Sequence, residues 1–259
     1  MDTLSGRLDD RVALVTGASR GIGAAAAAHL ARLGAAVVVA SEPREDRIAE
    51  AEAVAASIAA QGGRACIAAA DLAEPEGPAQ LVAAAADAWG RLDIVIANAA
   101  ASGSAAWKEI GIERWDLTQG VNVRGTYLLA KAAHPWLLRS PAPSFIAVTS
   151  VMAETGQPGA LHYTTSKAAI IGLVRGLARE VGPDGIRVNA VMPGAIQTED
   201  ELVKFPDQET LAAEILPLQA LKRRGVAADL AGAFGFLAGD LSAFITGQVL
   251  TVDGGWVMR

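Results

Sequence analysis

The sequence predicts an α/β fold, a single domain of about seven parallel strands wound on both faces by helices. Three observations lead there. Short runs of β-branched and other apolar residues alternate with longer helical stretches over all 259 residues. The first such run leads through a glycine-rich turn directly into a helix. No internal repeat and no Pro/Ser-rich linker divides the chain, so the alternation reads as one sheet across residues 1–259.

The elements follow in order. Val12 to Thr16 reads as a buried strand and Ile22 to Leu33 as the helix after it. Ala36 to Ala40 is the second strand, Ile48 to Gln61 the second helix. Arg64 to Ala69 and Pro78 to Trp89 make the third pair. Leu92 to Ala97 is the fourth strand, followed by a long helical region from Glu113 to Leu138. Ser144 to Ser150, then Tyr163 to Val181, make the fifth pair. Arg187 to Met192 and Gln248 to Val252 complete the sheet. Short, almost wholly apolar runs of this kind are what strands covered on both faces require. The acidic stretch 197–216, with Pro206, interrupts the pattern. It is expected to lie over the strand C-termini and cover a substrate, or to be a surface excursion.

Bulk properties exclude several classes. Hydrophobic residues make up 52% and charged residues 19%, which is a globular composition. A net charge of -6 argues against a general nucleic-acid or anionic-membrane surface. Cys66 is the single cysteine, so an internal disulfide is impossible. The polar stretch Met1 to Arg11 lacks the apolar core of a signal peptide, and no segment reads as a membrane span. A cytoplasmic location is expected. His29 and His134 have no neighbours at metal-ligand spacing, so no metal site is expected.

Tyr163 and Lys167 stand one helical turn apart. Residues i and i+4 share a helix face, so phenol and ammonium can meet. A nearby cation favours the phenolate and would bring the tyrosine toward working pH as an acid or base. Taken alone, the pair reads first as a surface tyrosine beside a solvated lysine. His162 points elsewhere on the helix and is not expected to be the base. The turn Thr16-Gly17-Ala18-Ser19-Arg20-Gly21-Ile22-Gly23 offers backbone N–H groups and a helix N-terminus to a pyrophosphate.

The pattern Thr-Gly-x-x-x-Gly-x-Gly, with Tyr-x-x-x-Lys downstream, resembles the short-chain dehydrogenase/reductase family, from Val12 to Gly255. The overall likeness is to its 3-oxoacyl-[acyl-carrier-protein] reductase branch, shared with sugar, steroid and polyketide-tailoring members. The resemblance implies a Rossmann-type fold and catalytic roles for Asn122, Ser150, Tyr163 and Lys167. Tyr163 would exchange the proton with the carbonyl oxygen, and Ser150 would orient that oxygen. Lys167 would also hold the nicotinamide ribose, and Asn122 would hold a relay water. Cofactor contacts are implied for Gly17, Ser19, Arg20, Gly21, Ile22 and Gly23, and for Asp71 and Leu72 near the adenine. Ser41, Asn98, Pro193, Gly194, Ile196 and Thr198 complete that set. Ala97-Asn98-Ala99-Ala100 departs from the family's Asn-Asn-Ala-Gly, which predicts a lost side-chain contact and less backbone freedom.

Ser41 stands where NAD-preferring relatives tend to carry Asp, and Arg20 and Arg44 could pair with a 2′-phosphate. Glu42 argues the other way if it turns inward. NADP is the expected cofactor, with NAD the alternative. Trp107, Met152, Ile196 and Phe205 are expected near an apolar ketone or alcohol. The partners implied are that small molecule and further copies of the chain, as a homotetramer or dimer. The competing function is a dinucleotide-binding sensor without turnover.

Overall fold

The computed structural model describes residues 6–258. The first five residues of the polar N-terminal stretch, and residue 259, lie outside the described residues. Strands β1 (Val12–Thr16), β2 (Ala36–Ser41), β3 (Arg64–Ala69), β4 (Ile94–Ala97), β5 (Ser144–Val148) and β6 (Arg187–Pro193) match the expected runs closely. Two-residue strands β7 (Ile196–Gln197) and β8 (Gly225–Val226) follow, then β9 (Val249–Val252). Among the described residues, one seven-stranded sheet has the order β3-β2-β1-β4-β5-β6-β9, with every neighbouring pair parallel. The order reverses between β1 and β4. That reversal opens a crevice at the strand C-termini, where ligands of open α/β sheets bind.

The period of two along each strand sorts its side chains between two layers. Val12 and Leu14 of β1 join one core, with Val38, Val95 and Phe145. Ala13 and Val15 join the other, with Val37, Ile94 and Ile146. Helices α1 (Gly21–Arg32), α2 (Glu45–Ala60), α3 (Gly77–Trp89), α4 (Ile112–Gln119) and α5 (Thr126–Leu137) come next in the chain. The short α6 (Met152–Thr155), then α7 (Leu161–Val181), α8 (Glu199–Lys204), α9 (Gln208–Ile215) and α10 (Ala227–Ala238) complete the set. Leu81, Leu129 and Ile170 carry α3, α5 and α7 onto the first core. Leu30, Ile58 and Phe234 carry α1, α2 and α10 onto the second. The sheet is therefore covered on both faces.

The long helical region expected from Glu113 to Leu138 is not one α-helix. A π-helical turn, Gly120–Gly125, separates α4 from α5. Gly120, Asn122 and Gly125 are weak helix formers, and Asn122 sends its side chain into tertiary contacts instead. Strand β5 stops at Val148, two residues before its expected end, although Thr149 N–H still donates to the Val191 carbonyl at 2.9 Å. The stretch 197–216 folds as α8 and α9 and is joined to the body through the β7–β8 pair.

At the N-terminal end of the sheet the polar groups are closed in on one another. The Asp93 carboxylate, 1% exposed, accepts from Val12 N–H at 2.8 Å, from Arg91 twice at 2.8 Å and from Ser140 Oγ at 2.6 Å. Buried Arg187 donates to the carbonyls of Leu237 and Gly239 and to Ser242 Oγ.

Candidate active site

A cleft of about 500 Å³ opens at the C-terminal ends of β1, β2, β4, β5 and β6. Its floor is the glycine turn. Gly17 (φ 61°) and Gly21 (φ 56°) adopt left-handed backbone, which only glycine takes without strain. Both line the cleft, with Ser19, Arg20 and Ile22. Gly23 does not. A Cβ there would sit 2.1 Å from the Gly17 carbonyl oxygen, so this glycine lets α1 pack against the end of β1. That corrects its expected place among the ligand-facing residues.

Asn98 holds the turn in place. Its Nδ2 donates to the carbonyls of Thr16 and Gly17, each at 3.0 Å. Thr16 Oγ1 accepts in return from the N–H groups of Asn98 and Ala99. Ala97 pairs within the sheet, and Ala100 needs no left-handed backbone, since Asp10 is the one non-glycine with positive φ among the described residues.

One end of the cleft is polar and charged. Ser41, Glu42, Asp71 and Leu72 line it beside Arg20 and Arg47. Ser41 is 5% exposed, and its Oγ has no hydrogen-bond partner. Arg20 Nε donates to Glu50 at 2.8 Å and Nη1 to Asp200 at 2.8 Å. Arg47 pairs with Glu42, Glu50 and Asp200. Arg44 takes no part. It is exposed, turned to Asp46 and Glu42, and outside the cleft lining. The helix α2 begins at Glu45, three residues earlier than expected, and this swings Arg47 inward. The acidic pair Glu45-Asp46 was the sequence signal for that earlier start.

At the other end stand Ser150, Tyr163 and Lys167. Lys167 is 3% exposed, and its Nζ donates to the Val148 carbonyl at 2.8 Å while lying 5.5 Å from the Tyr163 ring centroid. Burial lowers this ammonium to about 8. Tyr163 is shifted up from the ordinary phenol value by burial, and Ser150 partly reverses the shift. The expectation that Lys167 brings the phenol down is not met here, because the ammonium is aimed at the end of β5. Ser150 Oγ also accepts from Met152 N–H at 3.2 Å.

Asn122 is buried behind this group and outside the cleft lining. Its Oδ1 accepts from Ala101 N–H at 2.8 Å, and its Nδ2 donates to the Ala101 carbonyl at 3.0 Å and to Ser166 Oγ at 2.8 Å. The side chain thus fastens the loop after β4 to α7. His162 is buried on α7 and also lies outside the cleft lining, its imidazole held below the ordinary value by burial and then by the charges of Arg114 and Lys204.

Pro193, Gly194, Ile196 and Thr198 form the third wall. Trp107, Met152 and Phe205 do not line the cleft, against expectation; Leu117 and Val121 supply its apolar surface instead. Among the described residues no three His, Cys, Asp or Glu side chains gather as metal ligands.

The donor set suits an adenine dinucleotide. The start of α1 offers the Gly21 N–H, and a carboxylate, Glu199 Oε2, already accepts from it at 3.0 Å. Two guanidinium groups and an unpartnered hydroxyl stand at the end of β2, where a ribose phosphate of such a ligand lies.

Comparison with known proteins agrees. The family model described as enoyl-(acyl carrier protein) reductase matches residues 17–257. An L-rhamnose 1-dehydrogenase (NAD(P)(+)) from Azotobacter vinelandii is 38% identical over 96% of this chain and 97% of its own length. A 3-oxoacyl-[acyl-carrier-protein] reductase from Synechocystis is also 38% identical, over 97% and 98%. The crystal structure of a short chain dehydrogenase from Burkholderia cenocepacia in complex with NADP superposes with a TM-score of 0.88 at 36% identity, covering 96% of this chain and 99% of that one. A parallel sheet that reverses at β1/β4, a glycine turn beneath the cleft and a Tyr-x-x-x-Lys helix beside it thus recur together, and the chain belongs to the short-chain dehydrogenase/reductase family.

Proposed function

We propose that this protein is an NADP(H)-dependent oxidoreductase, with NAD(H) the weaker alternative, that interconverts a ketone and a secondary alcohol. The observation that carries this is one cleft holding both the glycine turn and Ser150, Tyr163 and Lys167. When bound, the reduced nicotinamide supplies the hydride that adds to the carbonyl carbon. Gly21 N–H would hold the pyrophosphate, with Gly17, Ser19 and Ile22 around it. Ser41, Arg20 and Arg47 would receive the 2′-phosphate, and Asp71 and Leu72 the adenine. Asn98 holds the turn, while Pro193, Gly194, Ile196 and Thr198 would border the nicotinamide end.

The chemistry assigned to the protein is proton transfer. Tyr163 donates its phenolic proton to the carbonyl oxygen as negative charge develops there, and takes it back in oxidation. Ser150 Oγ donates a hydrogen bond to the same oxygen and fixes its position. Lys167 spends one of its three donors on Val148, which leaves two for the ribose. Asn122 acts through the backbone it fastens.

The apolar surface of Leu117 and Val121 favours a 3-oxoacyl or related keto substrate. The L-rhamnose dehydrogenase likeness supports sugar oxidation as the second reading. The α8–α9 segment, residues 197–216, is assigned as the substrate cover, since Thr198 and Asp200 already border the cleft. A homotetramer, or a dimer, is supported by an apolar groove between α5 and α7 lined by Tyr127, Leu137, Leu177 and Val181. A reducing, cytoplasmic setting fits the lone Cys66 thiol.

The test is a spectrophotometric screen of NADPH and NADH oxidation against β-keto esters, diketones, sugars and steroids. Turnover of keto esters with NADPH is expected. Exclusive activity on sugars selects the second reading, and binding without turnover of any substrate selects the sensor.

A further inference from the structure

The start of α8 carries three successive acids, Glu199, Asp200 and Glu201, and each has a different partner. Glu199 Oε2 accepts from Gly21 N–H at 3.0 Å. Asp200 Oδ1 accepts from Arg20 Nη1 at 2.8 Å and lies 3.5 Å from Arg47 Nη2. Glu201 pairs with Arg224 through both oxygens at 2.8 Å. The first two engage groups of the cleft floor and rim, and the third ties α8 to the body of the protein. Thr198, the N-cap of α8, separates them from β7.

Gly21 N–H belongs to the helix terminus where a dinucleotide pyrophosphate docks. Arg20 and Arg47 are the cations at this corner that a 2′-phosphate would draw on and an unphosphorylated ribose would not. Ser41 Oγ, 5% exposed and unpartnered on the same wall, shows that this corner has hydrogen-bonding capacity its own side chains do not use. The remaining carboxylates on these cations, Glu42 and Glu50, come from the end of β2 and from α2. Among the described residues, Glu199 and Asp200 reach these positions from α8, outside the β1–α1–β2–α2 stretch that carries Gly21, Arg20, Arg47, Glu42 and Glu50.

We propose that Glu199 and Asp200 are intramolecular competitors for the two anion subsites of the cleft. They set its affinity for the dinucleotide and its discrimination between the 2′-phosphorylated and unphosphorylated forms. This rests on reading the cleft as a dinucleotide site. Glu199 competes with the pyrophosphate, which both dinucleotides carry. Asp200 competes with the 2′-phosphate, which only one carries. The 2′-phosphate, a dianion with three acceptor oxygens, displaces the single carboxylate of Asp200, and the doubly charged pyrophosphate displaces that of Glu199. Their arrival therefore frees the first turn of α8 while the Glu201–Arg224 pair keeps the rest of the helix attached. Cofactor entry and the arrangement of the substrate cover are linked through two side chains.

The test is the dissociation constant of NADPH and of NADH for the wild type, Glu199→Gln and Asp200→Asn, followed by calorimetry. Asp200 is largely exposed and its pairs are screened, so each effect is expected at about threefold. Glu199→Gln tightens both dinucleotides equally. Asp200→Asn tightens NADPH and leaves NADH unchanged. Adenosine 2′,5′-bisphosphate, which carries no nicotinamide, is expected to speed hydrogen exchange in α8 of the wild type and not of Asp200→Asn. Wild type that binds either dinucleotide, with both variants unchanged or with NADPH weakened by Asp200→Asn, overturns the competition alone. Wild type that binds neither overturns the reading of the cleft, and the competition with it.

Discussion

The two ends of one sheet treat polar groups in opposite ways. At the N-terminal end, Asp93 is surrounded by four donated hydrogen bonds and Arg187 by three acceptors. At the C-terminal end, Ser41 Oγ has no partner and Lys167 Nζ has one. Arg20 and Arg47 are shared with a carboxylate that belongs to α8. Burial is similar, since Asp93 is 1% and Lys167 3% exposed. The difference is in what the buried groups are left able to do. A fully satisfied buried charge is costly to disturb and has nothing left to offer a ligand. An under-satisfied one costs stability and is ready to bind or to move a proton.

The largest stability effect should come from the closed end. Asp93→Ala leaves the Val12 N–H, the Arg91 guanidinium and the Ser140 hydroxyl without their acceptor. A loss of about 3 kcal/mol in urea unfolding is expected, with dinucleotide affinity of the folded protein unchanged. A loss confined to dinucleotide affinity would break the contrast between the two ends.

Lys167→Met should do the reverse. The lysine titrates near 8 in the folded protein against an ordinary 10.5. Between those values the unfolded chain holds a proton that the folded chain has lost, so wild-type stability rises with pH across that window. Below it the cost of burying the charge is fully present. The variant is therefore expected to be more stable than wild type at pH 7, by about 2 kcal/mol, and the gap to narrow toward pH 10. Parallel pH profiles of thermal unfolding would show that burial does not act on Lys167 in this way.

Much of this contrast is visible in the bare sequence, and the reason is periodicity. Strands β1, β2, β4, β5 and β6 are buried on both faces, so their composition alone marks them. The glycine turn is legible because Gly17 and Gly21 need positive φ, and the Tyr163–Lys167 spacing because four residues make one turn. What is hidden depends on contacts between distant segments. The π turn forms where Asn122 reaches Ala101 and Ser166, and neither partner lies in its own helix. The β7–β8 pair is only two residues long and joins segments about thirty residues apart. Lys167 reaches back to the Val148 carbonyl, a backbone atom that no side-chain pattern announces. Arg47 replaces Arg44 at the rim because helix α2 starts one turn early.

The proposed function puts proton transfer at the open end of the sheet, with Tyr163 as acid and base. Tyr163→Phe removes one oxygen and leaves the shape of the ring. The most direct measurement is NADPH affinity and turnover for this variant, side by side with wild type. NADPH affinity within about twofold of wild type is expected, with turnover lowered by about a thousandfold or more. Turnover that survives the substitution would take the acid and base role away from Tyr163.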